Sequence, residues 1–422
     1  MPTIIAPIAA LLLSVALLLM GNGLIGTLLP VRAGLEGFGS LNIGILGSSY
    51  YIGFAFGCIL GIRLVKRVGH IRVFTAAVSI ASMASVVHAM VQTPEIWWIV
   101  RGITGFCFAT LYLVIESWLN EKSTNETRGL VFSIYTIINL SFITVGQMAL
   151  TISDPRAFTL FGLTSILISL AAVPVALTKA STPQPLATVN IRPRYLYRIS
   201  PVGFIGCLTV GLANGAFWAL APVFAQRADG NVESIAIFMS VAVIAGAVGQ
   251  YPLGRLSDHI DRRTVIILSC IGAAIAGISL AMIDHNWQIG FFAAAAMYGF
   301  FAFPLYSLSV AHLNDFVEEG GFVEAASGLL LIFAIGAVVG PLIASATMRF
   351  LGTDKLFAYT ASIHLCMAAY AFYRLKQRAA PQASECVPFV DSILVAHTVS
   401  SIDPTSSDPE LDEKPISNGD NL

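Results

Sequence analysis

In the stretch "PEIWWIVRGITGFCFATLYLVIESWLNE", a single arginine stands among apolar residues. Arg101, Gly105, Ala109, Tyr112 and Glu116 are spaced by four, four, three and four, so on a helix they share one face. A cation there can attract an anionic solute or act in a proton-linked switch. The alternative is structural, with the long stem carrying the charge outward to the polar boundary. Charge is densest in "GQYPLGRLSDHIDRR". Six uncharged residues are followed by a packet containing Arg255, Asp258, Asp261, Arg262 and Arg263, in a chain where only 11% of residues are charged. A carboxylate such as Asp258 at the end of an apolar run can face a helix N-terminus or a basic side chain, and Gly254 before it permits close helix approach. Such a turn can latch one helical unit against another; a purely topological role for its charges is the competing reading.

Other polar or amphipathic side chains within apolar runs are Asn22, Tyr50, Tyr51, Asn139, Gln147, Asn214, Trp218, Gln250, Tyr306 and His312. Each alone is more often an interhelical hydrogen bond or packing ring than a ligand. Clustered His, Asp or Ser near one interface, the mark of a membrane enzyme, is missing, so catalysis is not expected. The sequence has no GxxxxGK[ST] motif, so movement of a solute would draw on an ion gradient or on the solute's own gradient. His312 titrates near neutrality, which makes the proton a candidate coupling ion. No CxxC pair and no basic patch with interleaved aromatics occurs, so no cofactor, metal site or nucleic-acid partner is expected.

The elements that must position these residues follow from composition. Of 422 residues 56% are hydrophobic, too few polar groups to dissolve as a globule, so the lipid bilayer is the expected solvent. A core of about 30 Å needs about 20 apolar helical residues, and that ruler fits twelve times between Ile4 and Tyr373. The first run has no Lys or Arg before it and is too long for a signal peptide, so it is expected to be a retained membrane helix. The longest connection, with Pro183, Pro185 and Pro193, divides the chain into an N-terminal six-helix bundle (1–177), a central loop (178–200), a C-terminal six-helix bundle (201–375) and an acidic tail (376–422) expected to be disordered. Val387 to Val399 is the tail's one apolar stretch, too short to span and suited to docking on a membrane surface or a partner. Shifting the chain by 192 residues superposes Asn22 on Asn214, Pro30 on Pro222, Gly57 on Gly249 and Arg63 on Arg255, the mark of a duplicated bundle with a pseudo-twofold axis along the membrane normal. Loops on the side of the chain termini and central loop carry 17 Lys and Arg against 5 on the other side. The positive-inside rule then predicts cytoplasmic termini and a multi-pass protein of the plasma (inner) membrane.

Gly254-Arg-Leu256-Ser-Asp258-His-Ile-Asp261-Arg262-Arg263 resembles the G-x-L-x-D-r-x-G-r-r signature of the major facilitator superfamily. A second version, Leu64-Val-Lys66-Arg67-Val-Gly69, follows helix two, as that family's pattern has it. The departures are Ile62 for the first glycine, Lys66 for the acid, and in the later copy His259 and Asp261 for the first basic residue and the second glycine. "SSYYIGFAFG", "VIESWLNE" and "GQYPLGRLSD" further resemble the YcaD-like branch. The resemblance implies an all-α fold of twelve transmembrane helices and a central path lined by helices one, four, seven and ten. Those helices carry Asn22, Arg101, Tyr112, Asn214, Trp218 and Tyr306 as candidate solute-binding residues. It implies gating roles for Lys66, Arg67, Gly69, Gly254, Arg255, Asp258, Arg262 and Arg263. Because the family commonly has the acid at the Lys66 position and a base at the end of helix four, a charge-swapped pair of Lys66 or Arg67 with Glu116 is expected.

The function implied is secondary transport of a small solute by alternating access, from a chain expected to act as a monomer. A non-transporting membrane sensor or scaffold that keeps the carrier fold is the alternative. Helix five lacks the GxxxGPxxGG-type run of many drug/proton antiporters in that superfamily, which weakens efflux as the direction.

Overall fold

A computed structural model describes residues 8–124, 127–177, 192–284, 287–317, 322–377 and Phe389. Among the described residues twelve helices are long and apolar enough to cross a membrane: α1 (Ala9–Leu35), α2 (Ser40–Val68), α3 (His70–Met90), α4 (Pro94–Lys122), α5 (Gly129–Ile152), α6 (Phe158–Leu177), α7 (Pro201–Ala228), α8 (Val232–His259), α9 (Arg262–Met282), α10 (Gln288–Asn314), α11 (Glu324–Leu351) and α12 (Leu356–Leu375). Every span expected from hydropathy is present. The helices outrun the apolar runs where polar residues continue the turn pattern, as α2 does through Lys66 and Arg67. α10 is interrupted at Phe303 and Pro304 before it resumes at Leu305, because proline can neither donate to the preceding turn nor fit beneath it. Most of the central loop, 178–191, and the tail other than Lys376, Gln377 and Phe389 lie outside the described residues, and so does the disorder expected of that tail.

Within the first six helices α1 packs on α5 and α6, α2 on α4, and α3 on α4 and α6. Adding six to every index gives the packing of the second set: α7 on α11 and α12, α8 on α10, and α9 on α10 and α12. Between the sets α2 meets α11 and α5 meets α8, a pair of contacts that the same exchange interconverts. The result is two six-helix bundles about a pseudo-twofold axis. The end where α1 begins, α6 ends and α7 begins is called the linker end below, and the opposite one the far end.

The apolar core differs between these ends. Towards the far end a single buried cluster runs through both bundles, joining Leu24, Leu28 and Trp97 to Phe217, Leu220, Phe224 and Phe357. Towards the linker end the bundles keep separate cores, one holding Phe74, Phe108 and Trp118, the others Leu253, Val265 and Leu308 or Cys207, Leu313 and Leu329. Two hydrogen bonds also cross in the middle and far part. Ser48 Oγ donates to the Val338 carbonyl at 2.7 Å, and Gln226 Nε2 donates to the Val31 carbonyl at 3.3 Å. Gly44 and Gly47 permit this closeness, since a Cβ on them would lie 2.1 Å from Ser345 Oγ and 2.3 Å from Ala219 Cβ.

Candidate functional site

A cavity of about 500 Å³ lies between the bundles. One face of α2 forms much of its wall: Gly47, Tyr50, Phe54, Cys58 and Ile62 all line it, three or four residues apart. Asn22 and Thr27 of α1, Arg101 of α4, Gln147 of α5, Trp218 of α7 and Ser327, Leu331 and Phe333 of α11 complete it. The lining continues to Arg63 near the linker end of α2 and Ser327 near the linker end of α11. The volume lies in the range of pockets that enclose small organic ligands, roughly 300–1,000 Å³.

Arg101 is held in the cavity wall by helix packing. One turn along α4, Gly105 has no side chain where a Cβ would lie 2.0 Å from the Tyr50 carbonyl oxygen, so α4 presses against α2. That approach places the Arg101 guanidinium carbon 4.4 Å from the centroid of the Tyr50 ring, within cation–π range. Arg101 Nη1 is buried and has no hydrogen-bond partner. The guanidinium therefore lies along the cavity, not at the far boundary. The charged side chains lining the cavity, Arg101 and Arg63, are both cationic.

Of the six residues expected to bind a solute, Asn22, Arg101 and Trp218 line the cavity. Tyr112 stands behind Asn22, whose Nδ2 donates to its hydroxyl at 3.3 Å, and its ring packs on Phe54. Tyr306 lies against Phe333, with ring centroids 5.1 Å apart, and so touches a lining residue without lining the cavity itself. Asn214 is buried outside the lining, its Oδ1 without a partner. The Trp218 ring is stacked on Phe303 at 5.9 Å. Gln147 is also buried, and its Oε1 has no partner. Phe54, Cys58, Ser327 and Phe333 were not anticipated from sequence. For Phe54 and Cys58 the signal was the four-residue step from Tyr50; for Phe333, an apolar residue in an apolar helix, there was none.

At the linker end, Lys66 and Arg67 are exposed while Glu116 is buried. Among the described residues no ion pair joins Lys66 or Arg67 to Glu116, in keeping with two exposed bases and a buried acid. Gly69 closes α2 with φ of 89°, a left-handed value suited to glycine, and turns the chain directly into α3. In the later copy Arg262 Nε donates to Asp315 Oδ2 at 2.8 Å, with side chains only 3% and 1% exposed, and Arg262 Nη2 is 3.4 Å from Asp258 Oδ1. Asp315, at the end of α10, was missing from the expected set. Arg263 Nη2 meets Asp261 Oδ2 at 2.6 Å, and Asp261 Oδ1 caps α9 by accepting from the Arg263 backbone N–H at 2.9 Å. The acid that replaces the family's glycine is thus a helix cap. Partial burial alone would raise the Asp261 carboxyl. The hydrogen bonds from Arg263, its charge and that of His312 outweigh this and hold it below its ordinary value. Arg255 is exposed, and its Nη1 lies 3.4 Å from the Tyr251 hydroxyl. Asp258 Oδ1 accepts from the backbone N–H of Phe389 at 2.9 Å. The buried Phe389 ring sits on Gly254, where a Cβ would be 2.0 Å from Cδ1. The tail thus docks through Phe389 on α8 of its own chain.

Two pseudosymmetric six-helix bundles around a central cavity define the class: an all-α protein of twelve membrane-spanning helices. The family profile described as the Major Facilitator Superfamily matches residues 11–323 and 203–395, and the chain belongs to that family. It is 26% identical over 359 residues to the uncharacterized MFS-type transporter YcaD of Escherichia fergusonii, an alignment covering 85% of this chain and 93% of the relative. To YcaD of Salmonella typhimurium it is 27% identical over 366 residues, covering 86% and 94%. Among solved structures it resembles the nucleoside transporter NupG, with a TM-score of 0.76 at 15% identity, covering 87% of this chain and 98% of the other. It also resembles a bacterial homolog of the human lysosomal transporter Spinster in an inward-facing and occupied conformation, with a TM-score of 0.74 at 15% identity, covering 90% and 99%. The protein is a multi-pass membrane transporter of that superfamily, similar in sequence to the YcaD relatives.

Proposed function

We propose that this transporter carries a small organic solute by alternating access, with bundles 1–177 and 201–375 rocking about the central cavity and residues 178–200 joining them. The observation that carries the reading is the asymmetry of the core: one apolar cluster continuous across both bundles at the far end, separate cores at the linker end, and a cavity lining that runs from Arg101 to Arg63. This is the arrangement of a carrier closed on one side and accessible from the other. The excess of Lys and Arg at the linker end supports a cytoplasmic linker end, hence an inward-facing conformation with both termini on the cytoplasmic side of the plasma (inner) membrane. Asn22, Arg101 and Trp218 contact the solute directly, and Tyr112, Tyr306 and Asn214 support the surrounding wall. Lys66, Arg67, Gly69 and Glu116 on one side, and Gly254, Arg255, Asp258, Arg262 and Arg263 on the other, belong to the rims that meet when the linker end closes. With no GxxxxGK[ST] motif in the sequence, the energy comes from an ion gradient, for which the proton is the candidate ion, or from the solute's own gradient. One chain supplies both bundles, so a monomer suffices.

Spin labels at Val68 and Ile260, exposed sites at the linker ends of α2 and α8, test the cycle in proteoliposomes. Two distance populations are expected, their proportions changed by an imposed pH gradient. A single distance under every gradient and solute would exclude the rocking motion.

A further inference from the structure

The geometry points to an organic anion as the ligand of the central cavity: one acid group at the Arg101 guanidinium, and an apolar or aromatic body along Trp218, Phe54 and Phe333. This rests on the transporter reading for passage across the membrane, but not for binding.

The inference starts from charge. A guanidinium inside a membrane protein is costly unless a carboxylate, a polar wall or water answers it. Arg101 lies on the Tyr50 ring, which satisfies one face of the group but none of its N–H donors, and Nη1 is buried without a partner. Among the described residues that line the cavity there is no Asp or Glu to neutralise it, and the other charged one is again an arginine, Arg63. A planar, fixed fork of N–H donors matches the two oxygens of a carboxylate, or those of a sulfonate or phosphate, better than any neutral group. The Tyr50 ring packs on one face of the guanidinium and leaves its edge for an anion.

Around this point the lining is apolar and aromatic: Tyr51, Phe54, Ile143, Trp218, Leu331 and Phe333. An inorganic anion such as phosphate or chloride would leave most of that surface against water. The Trp218 ring, backed by Phe303 at 5.9 Å and 13°, is a rigid platform for a flat ligand body. A second polar point is the Gln147 amide, buried with its oxygen unpaired, which can accept from a hydroxyl or N–H on that body. A cationic solute is disfavoured because both lining charges would repel it.

The test uses the purified full-length protein and matched probes in which only the head group changes: acid, primary amide and amine forms of indole, naphthalene, phenyl and decyl bodies. Binding is read by thermal stabilisation and confirmed by calorimetry. At least one acid is expected to bind about ten-fold or more tightly than its own amide, the worth of a hydrogen bond to a charged group, and the amine of that body not to compete. Arg101→Gln should abolish the acid-over-amide preference while the amide still binds. Arg101→Lys, which keeps the charge but loses the fork, should retain part of it. Each variant is first checked for monodispersity, and Arg101→Lys keeps the test decisive if Arg101→Gln does not fold. Amides or amines binding as well as the acids, no acid binding at all, or an acid preference that survives Arg101→Gln would each overturn the assignment. Flux separates the two readings: an acid bound through Arg101 but never carried into proteoliposomes would remove the transport reading and keep the site, whereas carried amines with no acid binding would do the reverse.

Discussion

Replacing Arg262 by Ala would take a guanidinium from Asp315, whose side chain is only 1% exposed. Breaking one side of a buried pair costs about 3–5 kcal/mol, whereas replacing both partners by apolar groups of similar volume is often neutral. Arg262→Ala is therefore expected to lower the midpoint of thermal unfolding in detergent sharply, and Arg262→Met with Asp315→Leu to restore most of it; equal losses in the two proteins would contradict the pairing. Asp261 gives a pH-dependent counterpart. Its carboxyl is depressed in the folded protein, so the stability it contributes is present above its unfolded value, about 3.9, and is lost as pH falls through the lower folded value. Melting curves should show an acid-side loss that Asp261→Asn reduces, while near neutrality the two proteins keep a constant difference. Residue types announced these charges, but not their partners. Spacing alone could not show that Arg262 would reach Asp315, because that contact depends on how α9 and α10 meet; the Asp261 cap, two residues from its donor, is local.

At the scale of the helix, Gly105 decides where Arg101 sits. Gly105→Leu must push α4 from α2, since even a Cβ would lie 2.0 Å from the Tyr50 carbonyl oxygen. The expected outcome is a membrane-inserted protein with lowered thermal stability and weaker binding of any ligand that uses Arg101. Comparison with Ile103→Leu, at an exposed position on the same helix, checks that the effect belongs to the Tyr50 contact. The twelve spans were legible because lipid demands long apolar helices, and the stripe from Arg101 to Glu116 because helical periodicity is local. What periodicity could not supply is depth and direction. Tyr112 shares the Arg101 face yet ends behind Asn22, and Tyr306 sits just beyond the break at Pro304 that resets its helix. Tyr50 and Gln147 stood among many polar residues in apolar runs, and only tertiary packing separates them from Asn139.

For the whole molecule, far-end closure depends on small residues at the α2–α11 and α2–α7 crossings. Gly44→Leu or Gly47→Leu would place side-chain atoms where Ser345 and Ala219 already lie, raising the energy of this conformation relative to its alternative. Such a wedge is expected to shift the spin-label distribution between Val68 and Ile260 towards the shorter distance, by an amount that measures the energy gap between the two states. Unchanged distributions would mean that the crossings do not set the balance. The duplicated plan was visible as the 192-residue shift, because the two bundles keep matching Asn, Pro, Gly and Arg. Which end would be shut was not visible, since one sequence must stabilise both arrangements. The apolar stretch holding Phe389 was visible as a docking segment, but its seat on Gly254 and Asp258 of the same chain was not. Its anchoring has a practical side for anyone attaching a fluorescent reporter. A reporter joined after Leu422 leaves that ring in its seat, whereas one spliced in directly after Leu375 evicts it and uncovers the glycine beneath.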